Sequence, residues 1–278
     1  MSIIRYALEE ALNQDDLTIL KQPIVGLNGY REDVVVKHYE VLTAVSTKLQ
    51  ERYGLSNLGL LIEELEIYEG TGYLDEVVFK TVIDWISTKK HLEPEIQPLY
   101  HINIHPDTIN YDTKNIAKRL GYAIENAGIQ YNQVCFEITE NTLLRNLEIV
   151  KDMISDIREL GCCIALDDFG KKMLNLSTLK ILRPDYVKID GVYVQGALES
   201  EFDRLVIKSI VELSKVVGAK TIAEHIENDE QYELVKELGV DYGQGWYFGR
   251  PVGLTEKVSI EVFKKGLRTR NEEKEEST

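Results

Sequence analysis

VCFEITENTLLRNLEIVKDMISDIRELGCCIALDDFG, residues 134–170, holds a β-branched and aromatic run, a segment of helical spacing, and a second short apolar run. Val134–Ile138 and Cys163–Leu166 read as buried strands. Leu147–Leu160, with apolar residues every three or four positions, reads as an amphipathic helix. Strand, helix and strand in that order make a βαβ unit, and such units build parallel sheets.

The pattern extends in both directions. Runs at Leu17–Leu27, Val34–Leu42, Leu99–Ile104, Tyr186–Ile189, Thr221–Ile226 and Tyr242–Phe248 bring the expected strands to eight, with helical spacing at Thr113–Asn126, Phe202–Val217 and Asp229–Leu238. Asn228-x-x-Gln231 predicts a capping box at the last of these helices. Asn28-Gly29-Tyr30, between the first two runs, is a strong hairpin signal, so the first strand is expected to run antiparallel. Eight strands alternating with helices favour closure over an open sheet. The expected fold is α/β: a single (β/α)8 TIM-type barrel with the first strand antiparallel. It spans 15–256, after a segment 1–14 and before a helix end and charged tail at 257–278 that finishes NEEKEEST.

Composition narrows the function classes. The 278 residues carry 32 Lys and Arg against 47 Asp and Glu, a net charge of −15 that repels nucleic-acid polymers and anionic membrane surfaces. No apolar stretch approaches the ~20 residues of a membrane span, and the N-terminus lacks a signal-peptide core. Cys135, Cys162 and Cys163 form an odd set without CxxC spacing and read as core thiols of a cytoplasmic protein. There is no P-loop, nucleophile elbow or HExxH sequence. His101 and His105, at period two from Asn103, are accordingly read as rim histidines with satisfied hydrogen bonds rather than zinc ligands.

Polar residues stand where the strands end. Glu40, Asn103, Glu137 and Glu140, the pair Asp167–Asp168, Lys188 and Asp190, Glu224 and Glu227, and Gln244 occupy seven of the eight runs. Barrel strands deliver such residues to one mouth, where active sites of this architecture are built. Taken singly, each acid is ordinarily a helix cap or a rim ion pair. Together they imply a cation, because clustered buried carboxylates need compensation. Oxygen donors plus an amide suit Mg²⁺, Mn²⁺ or Ca²⁺ rather than zinc, and adjacent Asp167–Asp168 suits a two-ion site acting on phosphoryl groups.

KQPIV (21–25), YEVL (39–42), FEITE (136–140), ALDDFG (165–170), VKID (187–190), IAEHIE (222–227) and QGWYFGRP (244–251) follow one another along the chain. In these motifs and their order the chain resembles the EAL family of bacterial cyclic di-GMP phosphodiesterases. The resemblance implies hydrolysis of cyclic di-GMP to linear pGpG with Mg²⁺ or Mn²⁺. It implies that Glu40, Asn103, Glu137 and Asp167 hold one ion, and that Asp167 and Asp168 hold a second. Lys188 would orient the attacking water or balance phosphate charge, and Glu224 would be general base or a ligand beside it. Gln244, Glu140, Glu227 and Gln22 would support the site, with Glu40 counted among the catalytic groups. The partner implied is cyclic di-GMP, with a homodimer or a regulatory protein compatible.

The sequence departs from the family pattern in three places. Ala44 stands where an Arg to the ligand phosphate is usual, Lys171–Leu176 replaces the usual loop after DDFG, and His225 replaces a Gly. Tyr53, Tyr68 and Tyr73 are read as packing residues before base-stacking ones. These departures keep open a second reading: a catalytically weak or inactive cyclic di-GMP receptor or protein-interaction module.

Overall fold

The computed structural model describes residues 11, 17–27, 36, 38–46, 62, 65, 71–92, 97–105, 108, 113–139, 147–170 and 176–256. In chain order these form β1 (Leu17–Gly26), β2 (His38–Val45), α1 (Thr71–Leu92), β3 (Leu99–Asn103), α2 (Thr113–Asn126), β4 (Val134–Thr139) and α3 (Leu147–Leu160). Then come β5 (Cys163–Phe169), α4 (Leu176–Leu182), β6 (Tyr186–Ile189), α5 (Gly191–Gly196), α6 (Glu201–Val217) and β7 (Lys220–Ala223). The last are α7 (Asp229–Glu237), β8 (Tyr242–Gln244) and β9 (Val252–Gly253). The strand order is β2-β3-β4-β5-β6-β7-β8-β1-β9, with β1 also paired to β2. That cyclic succession is the (β/α)8 TIM-type barrel. β1 runs antiparallel to β8, whereas β6, β7 and β8 are mutually parallel.

Contacts divide the chain into two compact units, Met1–Lys21 with Glu40–Leu166, and Gln22–Tyr39 with Asp167–Thr278. In the first unit β3 and β4 pair in parallel with Tyr100 opposite Val134, His101 opposite Cys135 and Asn103 opposite Glu137. Alternation then puts Ile102 and Phe136 on the other face, toward the helices, where Phe79 of α1 lies 5.8 Å from the Phe136 ring. α3 buries Val150, Met153, Ile154 and Ile157, the i, i+3, i+4, i+7 stripe that the sequence shows. Lys21 places its ammonium 4.7 Å from the Trp85 ring.

In the second unit α6 is closed at both ends by its own sequence. The Ser200 hydroxyl accepts from the Asp203 N–H, and Gly218 takes the left-handed C-terminal position at φ 82°. At the start of β7 and β8, Asp241 and Thr221 hold each other. The Asp241 carboxylate accepts from the Thr221 N–H at 3.0 Å and hydroxyl at 3.1 Å, and the Asp241 N–H returns a bond to that hydroxyl at 3.1 Å. Lys220 adds an ion pair to Asp241 at 2.8 Å, which holds its ammonium above the ordinary lysine pKa. His38 stacks on Tyr242 at 4.7 Å and meets Tyr186 edge-on at 5.4 Å.

Several expectations need correction. β7 stops at Ala223 and β8 at Gln244, well before the expected Ile226 and Phe248. The reason is local: Ile226 N–H donates to Gln244 C=O and Tyr247 N–H to Ile226 C=O, so both strands turn into an irregular, interlocked segment. The capping box at α7 is shifted by one residue. Asn228 accepts from the Gln231 N–H as expected, but the Gln231 side chain accepts from Glu227 N–H rather than from Asn228. α1, α4, α5 and β9 were absent from the sequence reading. The Asn28–Tyr30 turn, the loop 171–175 and the tail 257–278 lie outside the described residues, as do Tyr53, Tyr68 and most of 1–14.

Candidate functional site

In the first unit, β2, β3 and β4 supply Glu40, Asn103 and Glu137. Asn103 is the register partner of Glu137, so their side chains leave the sheet on one face. On β2, Glu40 lies 3.5 Å from the Asn103 amide nitrogen, at the limit of a hydrogen bond. With the amide N–H₂ toward Glu40, the Asn103 carbonyl is directed elsewhere. Glu40 and Glu137 are buried, at 6% and 1% exposure, so their charges are only partly hydrated. His101, beneath Asn103 on the same face, places Nδ1 3.0 Å from the Glu137 carboxylate. It is fully buried, which corrects its expected position at the rim.

A cavity of about 280 Å³ in this unit is lined in part by Thr43, Asp75, Asn103, His105 and Thr139. Asp75 accepts from the His105 N–H at 2.8 Å and from the Thr108 hydroxyl, tying the segment after β3 to α1. Burial pushes its carboxyl up to about 7, against the opposing pull of those two hydrogen bonds.

In the second unit, β5, β6 and the residue after β7 bring together Asp167, Lys188 and Glu224. The Lys188 ammonium, 1% exposed, lies 3.0 Å from Asp167 and 3.0 Å from Glu224. The approach to Asp167 is an ion pair outside hydrogen-bond alignment. One ammonium therefore faces two carboxylates. Asp168 follows in the left-handed region at φ 55°, a conformation Asp tolerates better than most residues and one common at functional sites.

Gln244 and Gln22 form a relay: the Gln244 amide donates to the Gln22 carbonyl oxygen at 3.0 Å, and the Gln22 amide donates to the Gly249 carbonyl at 3.0 Å. Gly245 makes the turn after β8 at φ 151°; a Cβ there would come within 2.1 Å of the Ile226 carbonyl oxygen. His225 is also left-handed, at φ 57°, and its ring occupies space that Gly191 leaves open.

Other sequence-predicted positions have different places. Asp190 is the N-cap of α5, accepting from Val192 N–H at 2.8 Å. Glu227 is exposed, with its N–H committed to Gln231. Glu140 lies outside the described residues, and Ala44 is half-buried in β2. Cys135, Cys162 and Cys163 carry no disulfide; burial foremost, with Cys163 adjacent, pushes the Cys162 thiol up to about 12, away from nucleophilic use. The His101–Glu137 contact was missed by sequence reasoning, although period two had placed His101 on the face of Asn103.

Among the described residues, no three His, Cys, Asp or Glu side chains gather into a complete metal cage. The donor chemistry nevertheless fits a hard divalent cation in the first unit, where two buried carboxylates adjoin an amide and no sulfur enters. Among the described residues no helix is long and apolar enough to cross a membrane.

Comparison with known proteins places these features in a family. The family model described as "EAL domain" matches residues 5–251. The chain is 29% identical over 249 residues, 90% of its length, to a probable cyclic di-GMP phosphodiesterase PdeA of Escherichia coli K12, covering 32% of that protein. It is 30% identical, again over 90% of its length, to the cyclic di-GMP phosphodiesterase PdeA of Borreliella burgdorferi, covering 35% of it. The chain thus spans about a third of the length of these curated relatives. In fold it is similar to the FimX EAL domain from Pseudomonas aeruginosa bound to c-di-GMP, with a TM-score of 0.74 at 20% identity over 93% of this chain and 100% of that one. The barrel order, the strand-end acids and the match across residues 5–251 agree, and the chain belongs to the EAL domain family.

Proposed function

We propose that this domain hydrolyses cyclic di-GMP to linear pGpG in a reaction that depends on Mg²⁺ or Mn²⁺. The observation that carries the proposal is Lys188: a buried ammonium held 3.0 Å from each of two carboxylates at strand ends. Burying the Lys188 ammonium beside two partly exposed carboxylates costs on the order of several kcal/mol, and an apolar side chain there would stabilise the fold as well or better. Such clusters are retained where charge is needed for chemistry.

Within the first unit Glu40, Asn103 and Glu137 would hold an ion, and within the second Asp167 and Asp168 would be ion ligands. A bound divalent ion would offset the charge that develops on the phosphate. Glu224 accepts a proton from the attacking water, and Lys188, 3.0 Å from both carboxylates, holds Asp167 and Glu224 in place for it. The relay from Gln244 through Gln22 to Gly249 holds the Gln244 amide in one orientation, which suits a polar wall beside the substrate. Residues 15–256 are taken as the barrel, with 1–14 and 257–278 flanking it. Three thiols without a disulfide fit a reducing cytoplasm. Ala44 favours one alternative, a receptor that binds the dinucleotide without turning it over, since a cationic phosphate contact is replaced by a methyl group.

The test is incubation of purified protein with cyclic di-GMP and Mn²⁺, followed by chromatographic separation of products. Formation of pGpG, abolished by Glu40→Ala, is the expected result. Absence of pGpG above that control, with dinucleotide binding retained, would establish the receptor instead.

A further inference from the structure

We infer that His101 is a positioning residue for the ion site: its Nδ1–H fixes one oxygen of Glu137 and thereby sets the direction in which that carboxylate faces. This rests on the proposed role of Glu137 as an ion ligand. Both side chains are fully buried, with Nδ1 3.0 Å from Oε1. As an ion ligand Glu137 is ionised and only accepts hydrogen bonds, which assigns the hydrogen to Nδ1 of His101. The strand register gives the contact its direction. His101 pairs with Cys135, and Asn103 with Glu137, so His101 sits one layer below the Asn103–Glu137 pair and reaches up to the carboxylate from beneath.

A glutamate side chain has three rotatable bonds, and the last turns its carboxylate plane almost freely. Tying one oxygen to a rigid ring held within the sheet removes that freedom before any ion arrives. Ligating carboxylates are commonly hydrogen-bonded in this way, and loss of such a partner lowers metal affinity about 10- to 100-fold. A purely structural pair would instead show its loss in stability, whatever the ion.

Two substitutions separate these roles. His101→Leu fills much of the ring's volume without a donor. His101→Asn restores an N–H the same number of bonds from the backbone as Nδ1. Mn²⁺ affinity of the full chain, read from the electron paramagnetic resonance signal of free Mn²⁺, is measured for wild type, both variants and Glu137→Gln, with thermal melting alongside. The expected result is a ~10- to 100-fold weaker affinity for H101L, near-wild-type affinity for H101N, and a loss at least as large for E137Q. Should H101L not fold, His101→Ala takes its place in the comparison with H101N. Wild-type Mn²⁺ affinity in the donor-free variant, with affinity lost in E137Q, overturns the positioning role while leaving Glu137 as ligand. Equal weakening in H101N and the donor-free variant overturns it as well. Unchanged affinity in E137Q would remove the ligand reading itself.

Discussion

Lys188 brings a full positive charge into a position of 1% exposure, with Asp167 and Glu224 as its counter-ions. Replacing it with the apolar, similarly long methionine leaves two partly buried carboxylates without their shared counter-ion. Lys188→Met is expected to lower turnover at least ~100-fold, the scale of losing a positioned proton-transfer or charge-stabilising group. It should also destabilise the fold by ~3 kcal/mol, as breaking a buried pair does. Steady-state kinetics and urea denaturation check the two effects separately. Asp75 makes a prediction of opposite character. Burial pushes its folded carboxyl from the ordinary 3.8 up to about 7, so between those values the native state holds a proton that the unfolded chain has released. The favourable contribution is present below pH ~4 and is lost as pH rises toward ~7, so stability declines over that interval. Asp75→Asn, which keeps an acceptor for His105 N–H, should flatten that decline in a series of urea titrations from pH 4 to 8. The effect should be on the order of 1 to 3 kcal/mol, reduced from the full shift because the side chain is only half-buried.

At the scale of elements, glycines with equally unusual backbones have unequal weight. Gly218 ends α6 at φ 82° with nothing within 4 Å of an added Cβ, so Gly218→Ala should cost only ~1 kcal/mol of left-handed strain. Gly245→Ala meets the Ile226 carbonyl at 2.1 Å and its nitrogen at 2.4 Å, both backbone atoms that do not yield. It should cost more than ~4 kcal/mol or prevent folding, seen as a lost or much lowered denaturation midpoint. The same contrast explains what was legible in the sequence. α2 and α3 are legible at their bounds because each carries apolar residues at helical spacing on one stripe. α1 buries Val77, Val78, Phe79, Val82, Ile83 and Ile86; three consecutive buried residues blur a 3.6-residue period, so the helix could not be separated from a strand-like run. Strand-end acids were legible as a class. What each one does was not: Asp190 caps a helix two residues after Lys188, and only the fold separates it from Asp167. His101 was visible as a residue on the right face but not as a partner, because a single chain's alternation gives direction without naming what lies diagonally across.

For the whole molecule, the candidate groups belong to two units, with Glu40, Asn103 and Glu137 in one and Asp167, Lys188 and Glu224 in the other. An ion that binds only the folded protein stabilises it by mass action, ~2.7 kcal/mol at a hundred times its Kd. Added Mn²⁺ should therefore raise the melting temperature, and EDTA should return it to the apo value. Glu137→Gln should abolish the rise without shifting the EDTA midpoint by more than a few degrees. The net charge of −15 remains compatible with an anionic substrate, because a divalent ion bound beside Glu40 and Glu137 would invert the local field there.

The reciprocal clasp between Asp241 and Thr221 lies at the entrance of β7 and β8, whereas Glu224 and Gln244 stand at their exits. Barrels divide labour in this way, with one end devoted to endurance and the other to chemistry. Asp241→Asn should yield a conditional allele: a protein with ordinary kinetic constants at low temperature that vanishes from cells a few degrees higher. Comparing its kinetics at 20 °C with its abundance at 37 °C checks that separation, and it would give geneticists a thermal dial on the domain that leaves Glu224 and Gln244 untouched.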